Sequence, residues 1–234
     1  MNSYITCKHV FKQYGKGDSA FFALEDVNFT IEEGEFVVIL GPSGAGKSTL
    51  LNLLGGMDSP TNGEILIEGE NIAEYSDEQL TKYRGTDVGF VFQFYNLIPN
   101  LTLYENVALI KEVAENPYDA KEILTSVGLE KRMNQFPTQV SGGEQQRASI
   151  ARAIAKRPKL LLCDEPTGAL DSETGITILS FLQELSSKKG HTVIVVTHNS
   201  ALAQAADKVI HIKNGLLHKI VQNDLPKAVG EVEW

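Results

Sequence analysis

Gly41-Pro-Ser-Gly-Ala-Gly-Lys47-Ser48 is the stretch on which the fold turns. It matches the pattern G-x-x-x-x-G-K-[ST]. An apolar run, Phe36–Leu40, precedes it, and a segment of helical character, Lys47–Leu54, follows. Strand, glycine-rich loop, helix is the context in which this pattern holds phosphate. Glycines let successive backbone N–H groups turn inward around phosphate oxygens, and the helix adds the positive end of its dipole. Lys47 offers a cation to the β- and γ-phosphates, and Ser48 offers a hydroxyl to Mg2+. The competing explanation is a glycine-rich turn that merely ends in Lys-Ser, and the two flanks argue against it.

Working outward, Leu24–Ile31 alternates with Leu24, Val27, Phe29 and Ile31 apolar, and Glu32-Glu33-Gly34 turns the chain into the buried run. Pro60-Thr-Asn-Gly63 is a second turn, and Ile65–Ile67 a strand ending at Gly69. Residues 98–157 differ in texture, with helical stretches at 119–127 and 143–156 interrupted by Pro99, Pro117 and Pro137. Strand and helix then alternate again: strands at 160–163 and 192–197, helices at 173–187 and 201–206. Val209–Ile212 and Leu216–Ile220 flank Lys213-Asn214-Gly215, and Asn-Gly is a strong hairpin signal. The pattern predicts one α/β domain over 1–234 with a helical insertion at about 98–157. The tail from Val221 carries no pattern, and Trp234 is expected to be unpacked.

The 234 residues include 21 basic and 30 acidic side chains, a net charge of −9, and 42% are hydrophobic. That composition excludes a disordered chain and disfavours a nucleic-acid coat. No apolar run approaches the roughly 18–20 residues that span a bilayer. The N-terminus lacks the basic-then-apolar layout of a secretion signal, and two cysteines, Cys7 and Cys163, make no disulfide framework. A cytosolic protein is the expectation.

Two further segments carry chemistry. Leu160-Leu-Leu-Cys-Asp164-Glu165 is an apolar strand ending in two carboxylates. Beside a phosphate loop, Asp164 is placed to serve a Mg2+, and Glu165 to polarise an attacking water. Val140-Ser141-Gly-Gly-Glu144-Gln-Gln-Arg147 reads first as a capping box, with Ser141 capping a helix and Glu144 reaching back. A capping box has no need of Gly142 and Gly143, which cost helix stability and bare amides for an anion.

These motifs in this order resemble the ATP-binding cassette ATPases over about residues 4–220. The resemblance implies a P-loop NTPase fold: a RecA-like core, an N-terminal antiparallel β-subdomain and an inserted helical signature subdomain. It implies that Gly41, Ser43, Gly44, Ala45, Gly46, Lys47, Ser48 and Thr49 bind nucleotide, with Tyr14 stacking on adenine. Ser141, Gly142, Gly143 and Glu144 match the signature motif, Asp171 the D-loop, Gln93 the Q-loop and His198 the switch histidine. Glu165, His198 and Gln93 would be catalytic, with Ser48, Gln93 and Asp164 about the metal. The signature departs from the usual pattern with Val140 for Leu and Glu144 for Gln.

The segments Phe92–Thr102, Tyr104–Val107 and Glu165–Asp171 look like the macrolide-export, lipoprotein-release and antimicrobial-peptide resistance group. The resemblance implies ATP and Mg2+ as cofactors and a homodimer with two shared ATP sites. It also implies a separate membrane permease, docked near Phe94–Leu103, that holds this chain on the inner membrane face and handles a peptide, lipid-linked or drug-like substrate. Two rivals are weighed. A chromosome or ribosome ATPase would need a long coiled coil or a second cassette, neither of which is present, and no nucleic-acid partner is expected. A mechanical ATPase of the cell-division type, signalling through a permease-like partner without transport, shares all of these motifs.

Overall fold

A computed structural model describes residues 3–233, so Trp234 and the first two residues of the N-terminal reading lie outside the described residues. Two sheets organise it. The first is antiparallel, with β1 (Ile5–Tyr14), β2 (Phe21–Ile31), β4 (Asn62–Ile67) and β5 (Glu70–Asn71) in the order β2-β1-β4-β5. The second is built on β3 (Phe36–Leu40), which pairs in parallel with β8 (Thr192–Thr197) and β9 (Lys208–Lys213). On its far side β7 (Leu160–Asp164) and β6 (Val88–Val91) continue in parallel, and β10 (Leu216–Gln222) closes the other edge antiparallel to β9.

The second sheet is buried on both faces, which is why its strands read as unbroken apolar runs. Alternate residues of β3 enter different cores. Phe36, Val38 and Leu40 face the helices α3 (Leu103–Ala108), α4 (Ala120–Ser126), α5 (Gly142–Ala155) and α6 (Ser172–Lys189). Val37 and Ile39 face α1 (Lys47–Leu54) and the antiparallel sheet. The remaining helix, α2 (Asp77–Thr86), buries Leu80 and Tyr83.

Strand β3, helix α1 and the Asn214-Gly215 hairpin stand where the sequence puts them. The segment 201–206 is a 3-10 turn, Ser200–Ala205, rather than an α-helix. Strand β1 has no clean alternation because the register shifts between Cys7 and Val10, where His9 adopts a left-handed φ of 48°.

A buried ion pair ties the two sheets together. Lys208 Nζ donates to Glu35 Oε2 at 2.7 Å and to the Thr30 carbonyl of β2 at 2.9 Å. The side chains of Lys208 and Glu35 are only 8% and 12% exposed. Removing one partner leaves an uncompensated buried charge, which costs more than the pair contributes. Glu35→Ala is therefore expected to lower unfolding free energy by about 3 kcal/mol in a urea titration, and adding Lys208→Met to recover much of that loss.

Candidate functional site

The loop joining β3 to α1 is shaped by its glycines. Gly44 and Gly46 have left-handed φ values of 74° and 101°, so neighbouring amides point to a common side. A side chain at Gly46 would also collide with the Ala23 carbonyl, 2.4 Å from its Cβ position. Gly46 caps α1 without any side-chain hydrogen bond, and no acidic residue stands in the first turn. The other α-helices are capped by Ser76, Thr102, Asp119, Ser141 and Asp171. Among the described residues α1 alone keeps its first-turn N–H groups for something outside the chain. Lys47 is 7% exposed, and its Nζ donates to the carbonyls of Gly41 at 2.8 Å and Pro42 at 2.9 Å. An ammonium has three donors, so one remains for an anion in the loop.

A cleft of about 960 Å³ opens over this loop. Ser43 through Thr49 form its floor, Tyr14 is on its wall, and Gln93, Asp164, Glu165 and His198 complete one end. Gly41 does not line it. Its Cβ position is 2.1 Å from the Ile212 carbonyl, so its glycine serves the packing of the loop on β9.

Asp164 ends β7. Burial pushes its carboxyl up, a hydrogen bond from Ser48 opposes this, the Glu165 charge adds to it and Lys47 opposes it again; the net direction is upward. Ser48 and Asp164 thus present adjacent hydroxyl and carboxylate oxygens, and Gln93 lines the same cleft. No group of three or more His, Cys, Asp or Glu side chains is arranged for a metal among the described residues. A few hard oxygen donors without a full cage suit Mg2+, which keeps waters and takes substrate phosphates.

Glu165 follows with a left-handed φ of 45°, an uncommon state for a non-glycine residue. Its amide donates to the Val196 carbonyl at 2.9 Å. Oε2 accepts from Thr197 Oγ1 at 3.0 Å, and Oε1 lies 2.8 Å from His198 Nδ1. Thr197 is itself oriented by the Asn199 amide, which donates to its hydroxyl at 3.1 Å. The sequence reading passed over Thr197, although its place before His198 at the end of an apolar strand was the signal. It also passed over Phe21 and Phe22, 58% and 50% exposed on the cleft rim. An exposed aromatic doublet opening a strand was their signal.

The signature and D-loop residues do not line this cleft. Ser141 caps α5, accepting from the Glu144 amide at 3.3 Å, while Glu144 accepts from the Ser141 amide at 2.8 Å and from Arg132 Nε at 3.0 Å. Those bonds hold the Glu144 carboxyl below its ordinary pKa, the Ser141 amide contributing most. The capping box is formed in full, so it accounts for Ser141 and Glu144 within one chain. The glycines also have a steric reason beyond bare amides. A Cβ at Gly143 would lie 2.5 Å from Thr174 Cγ2, and one at Gly142 2.7 Å from the Tyr95 hydroxyl. Asp171 caps α6, accepting from the Thr174 amide at 2.9 Å.

The apolar stretch expected to dock a partner is unevenly exposed. Leu103 is fully buried in the helical core, and Leu97 packs against that core. Phe94, 76% exposed, and Ile98, 42% exposed, are its large apolar side chains at the surface, and Tyr95 and Leu101 are half-buried.

An ATP-hydrolysing cassette is the class that this loop, cleft and pair of sheets define. The model of the family described as ABC transporter matches residues 24–168, and the chain belongs to that family. It is similar to the uncharacterized ABC transporter ATP-binding protein MJ1508 of Methanocaldococcus jannaschii, 45% identical over 222 residues that cover 93% of this chain and 99% of the relative. The lipoprotein-releasing system ATP-binding protein LolD of Idiomarina loihiensis is 40% identical over 223 residues, covering 93% and 98%. Among solved structures, the MJ0796 cassette, dimeric in a post-hydrolysis state bound to ADP and Pi, superposes with a TM-score of 0.86 at 43% identity. That match covers 93% of this chain and 98% of the cassette.

The Lys47 geometry generates a test. Lys47→Ala removes the one side-chain cation of the cradle and is expected to abolish tight MgATP binding in a calorimetric titration, with the far-UV spectrum retained. Unchanged affinity would count against the loop as the phosphate site.

Proposed function

We propose that two copies of this chain close around two ATP molecules and that closing and opening drive a separate membrane permease. In this reading each ATP lies between the phosphate loop of one copy and Ser141-Gly142-Gly143 of the other. The observation that carries it is the split of the motifs: phosphate, base and water partners share one cleft, and the signature residues line none of it. Support comes from MJ0796, whose solved form with ADP and Pi is a dimer. The chain then acts as a single nucleotide-binding domain, with residues about 98–157 as its helical subdomain.

The chemistry follows from the groups at the cleft end. Mg2+, held by Ser48 and Asp164 with Gln93 close by, would screen the phosphate charge. Lys47 and the α1 amides hold the β- and γ-phosphates. Glu165, fixed by Thr197, orients the water and takes its proton as the water oxygen bonds to the γ-phosphorus, the bond to the β,γ-bridging oxygen breaks and ADP leaves. With Nδ1 turned to Glu165, His198 presents Nε2 to the γ-phosphate, where it stabilises charge in the transition state.

No helix among the described residues is long and apolar enough to cross a membrane, which fits a subunit held at the inner face by its permease through Phe94 and Ile98. Likeness to LolD supports a lipid-linked or peptide substrate handled by that permease. Phe94→Asp is expected to abolish stimulation of ATPase turnover by the reconstituted permease while the isolated subunit hydrolyses ATP at its usual rate.

The shared site is tested at Glu165. Glu165→Gln keeps the shape of the side chain but removes the base and a negative charge that faces the γ-phosphate across a poorly screened gap. The variant is expected to form a stable dimer in ATP and to remain monomeric in ADP, measured by light scattering. Adding Ser141→Arg should abolish the dimer. A Glu165→Gln protein that stays monomeric in saturating ATP overturns the two-chain site.

A further inference from the structure

Tyr14, at the end of β1, is held from several sides. Its hydroxyl donates to Asp58 Oδ2 at 2.7 Å, and Thr49, in the first turn of α1, lines the same cleft. The Lys12 ammonium lies 4.9 Å from the ring centroid, an attractive cation–π distance. Lys12 is 9% exposed, and its Nζ donates to Asp58 Oδ1 at 2.6 Å and to the Ser59 carbonyl at 2.8 Å. One carboxylate therefore binds the phenol with one oxygen and the ammonium with the other. Burial works against the Asp58 charge, but the hydrogen bonds from Lys12, Tyr14 and the Ser59 amide outweigh it and hold the carboxyl below its ordinary pKa.

Asp58 belongs to the turn that leaves α1, and the preceding Met57 amide is bonded back to the Asn52 carbonyl within that helix at 2.9 Å. The phenol is thus tied to the turn beyond the C-terminus of α1 through Asp58, while its ring shares the cleft with Thr49 of the first turn.

We propose that Asp58 and Lys12 are positioning residues for the nucleotide base, fixing the Tyr14 ring at a set distance from the phosphate cradle so that base affinity depends on this tether. The inference rests on the reading that Tyr14 stacks on adenine. A ring free to swing must be ordered by each incoming nucleotide, and that ordering is subtracted from the affinity. A tethered ring is ordered beforehand. A ligand with phosphates and no base gains nothing from the tether.

The test compares binding of MgATP with binding of magnesium inorganic triphosphate, by calorimetry, in the full chain and three variants. Tyr14→Phe keeps the ring and removes the hydroxyl tether to Asp58. Asp58→Ala, made together with Lys12→Met so that no buried cation is left unpaired, removes the anchor. Tyr14→Ala removes the ring. Tyr14→Phe and the double variant are expected to weaken ATP about three- to tenfold, the share of one net hydrogen bond. Tyr14→Ala should weaken it further, and triphosphate should bind all four proteins alike. If Tyr14→Ala weakens ATP while Tyr14→Phe and the double variant bind it like the parent, the ring acts without its tether and the proposal fails. A parallel loss of triphosphate binding would show that the network only supports the fold, which also overturns it. Parent-like ATP affinity in Tyr14→Ala removes the stacking reading itself.

Discussion

The first turn of α1 presents amides that no side chain of the described residues caps, next to an ammonium that is nearly buried. Unpaired donors and a desolvated cation are costly to keep together in an empty protein. The surrounding structure is arranged to make the cost tolerable. The carbonyls of Gly41 and Pro42 take two of the three Lys47 donors. Strand β3 supplies the rigid base, paired on both edges by β8 and β9. Gly41 lets the loop settle against β9. The hydrogen-bonding capacity that the chain leaves open there is what the proposed phosphate site would use.

The opposite end of the cleft works on a different principle. Glu165 is held in an unfavourable backbone state by a strand-end bond to Val196 and by the Thr197–Asn199 relay. Such strain persists only where the surroundings over-determine it. The signature and D-loop segments share a joint of their own. Gly143 packs on Thr174, and Thr174 is the residue whose amide and hydroxyl Asp171 accepts. The start of α5 and the cap of α6 are therefore in direct contact through this pair.

How much of this is legible in the sequence depends on what determines each part. The phosphate loop is readable residue by residue because backbone geometry and glycine placement define it. Strand β3 is readable because burial on both faces leaves an unbroken apolar run. Strand β1 is not, since its bulge at His9 puts both Cys7 and Val10 in the core and breaks the period of two. Helix α2 buries only Leu80 and Tyr83, too few for a hydrophobic stripe, and its Ser76–Gln79 capping box was the one local signal. At the site, Tyr14 is visible from its spacing to the loop. Its anchor Asp58 lies far along the chain and becomes visible only once β1 is laid beside the turn after α1. The signature glycines invite an anion reading in sequence, and only the packing of α5 on α6 and on Tyr95 adds a steric demand at the same two positions.

The reliance on main-chain donors at α1 has a consequence for how this protein tolerates change. Every residue type except proline carries an N–H, so replacing Ser43 leaves the donor at that position intact. The information that specifies the phosphate cradle is therefore concentrated in very few letters: the glycines that permit the backbone path, and one lysine. Genetic drift can rewrite the side chains of the cleft wall, Phe21 and Phe22 among them, while the main-chain donors of the loop stay in place. Loop path and cleft wall are specified by separate parts of the sequence and can evolve at separate rates.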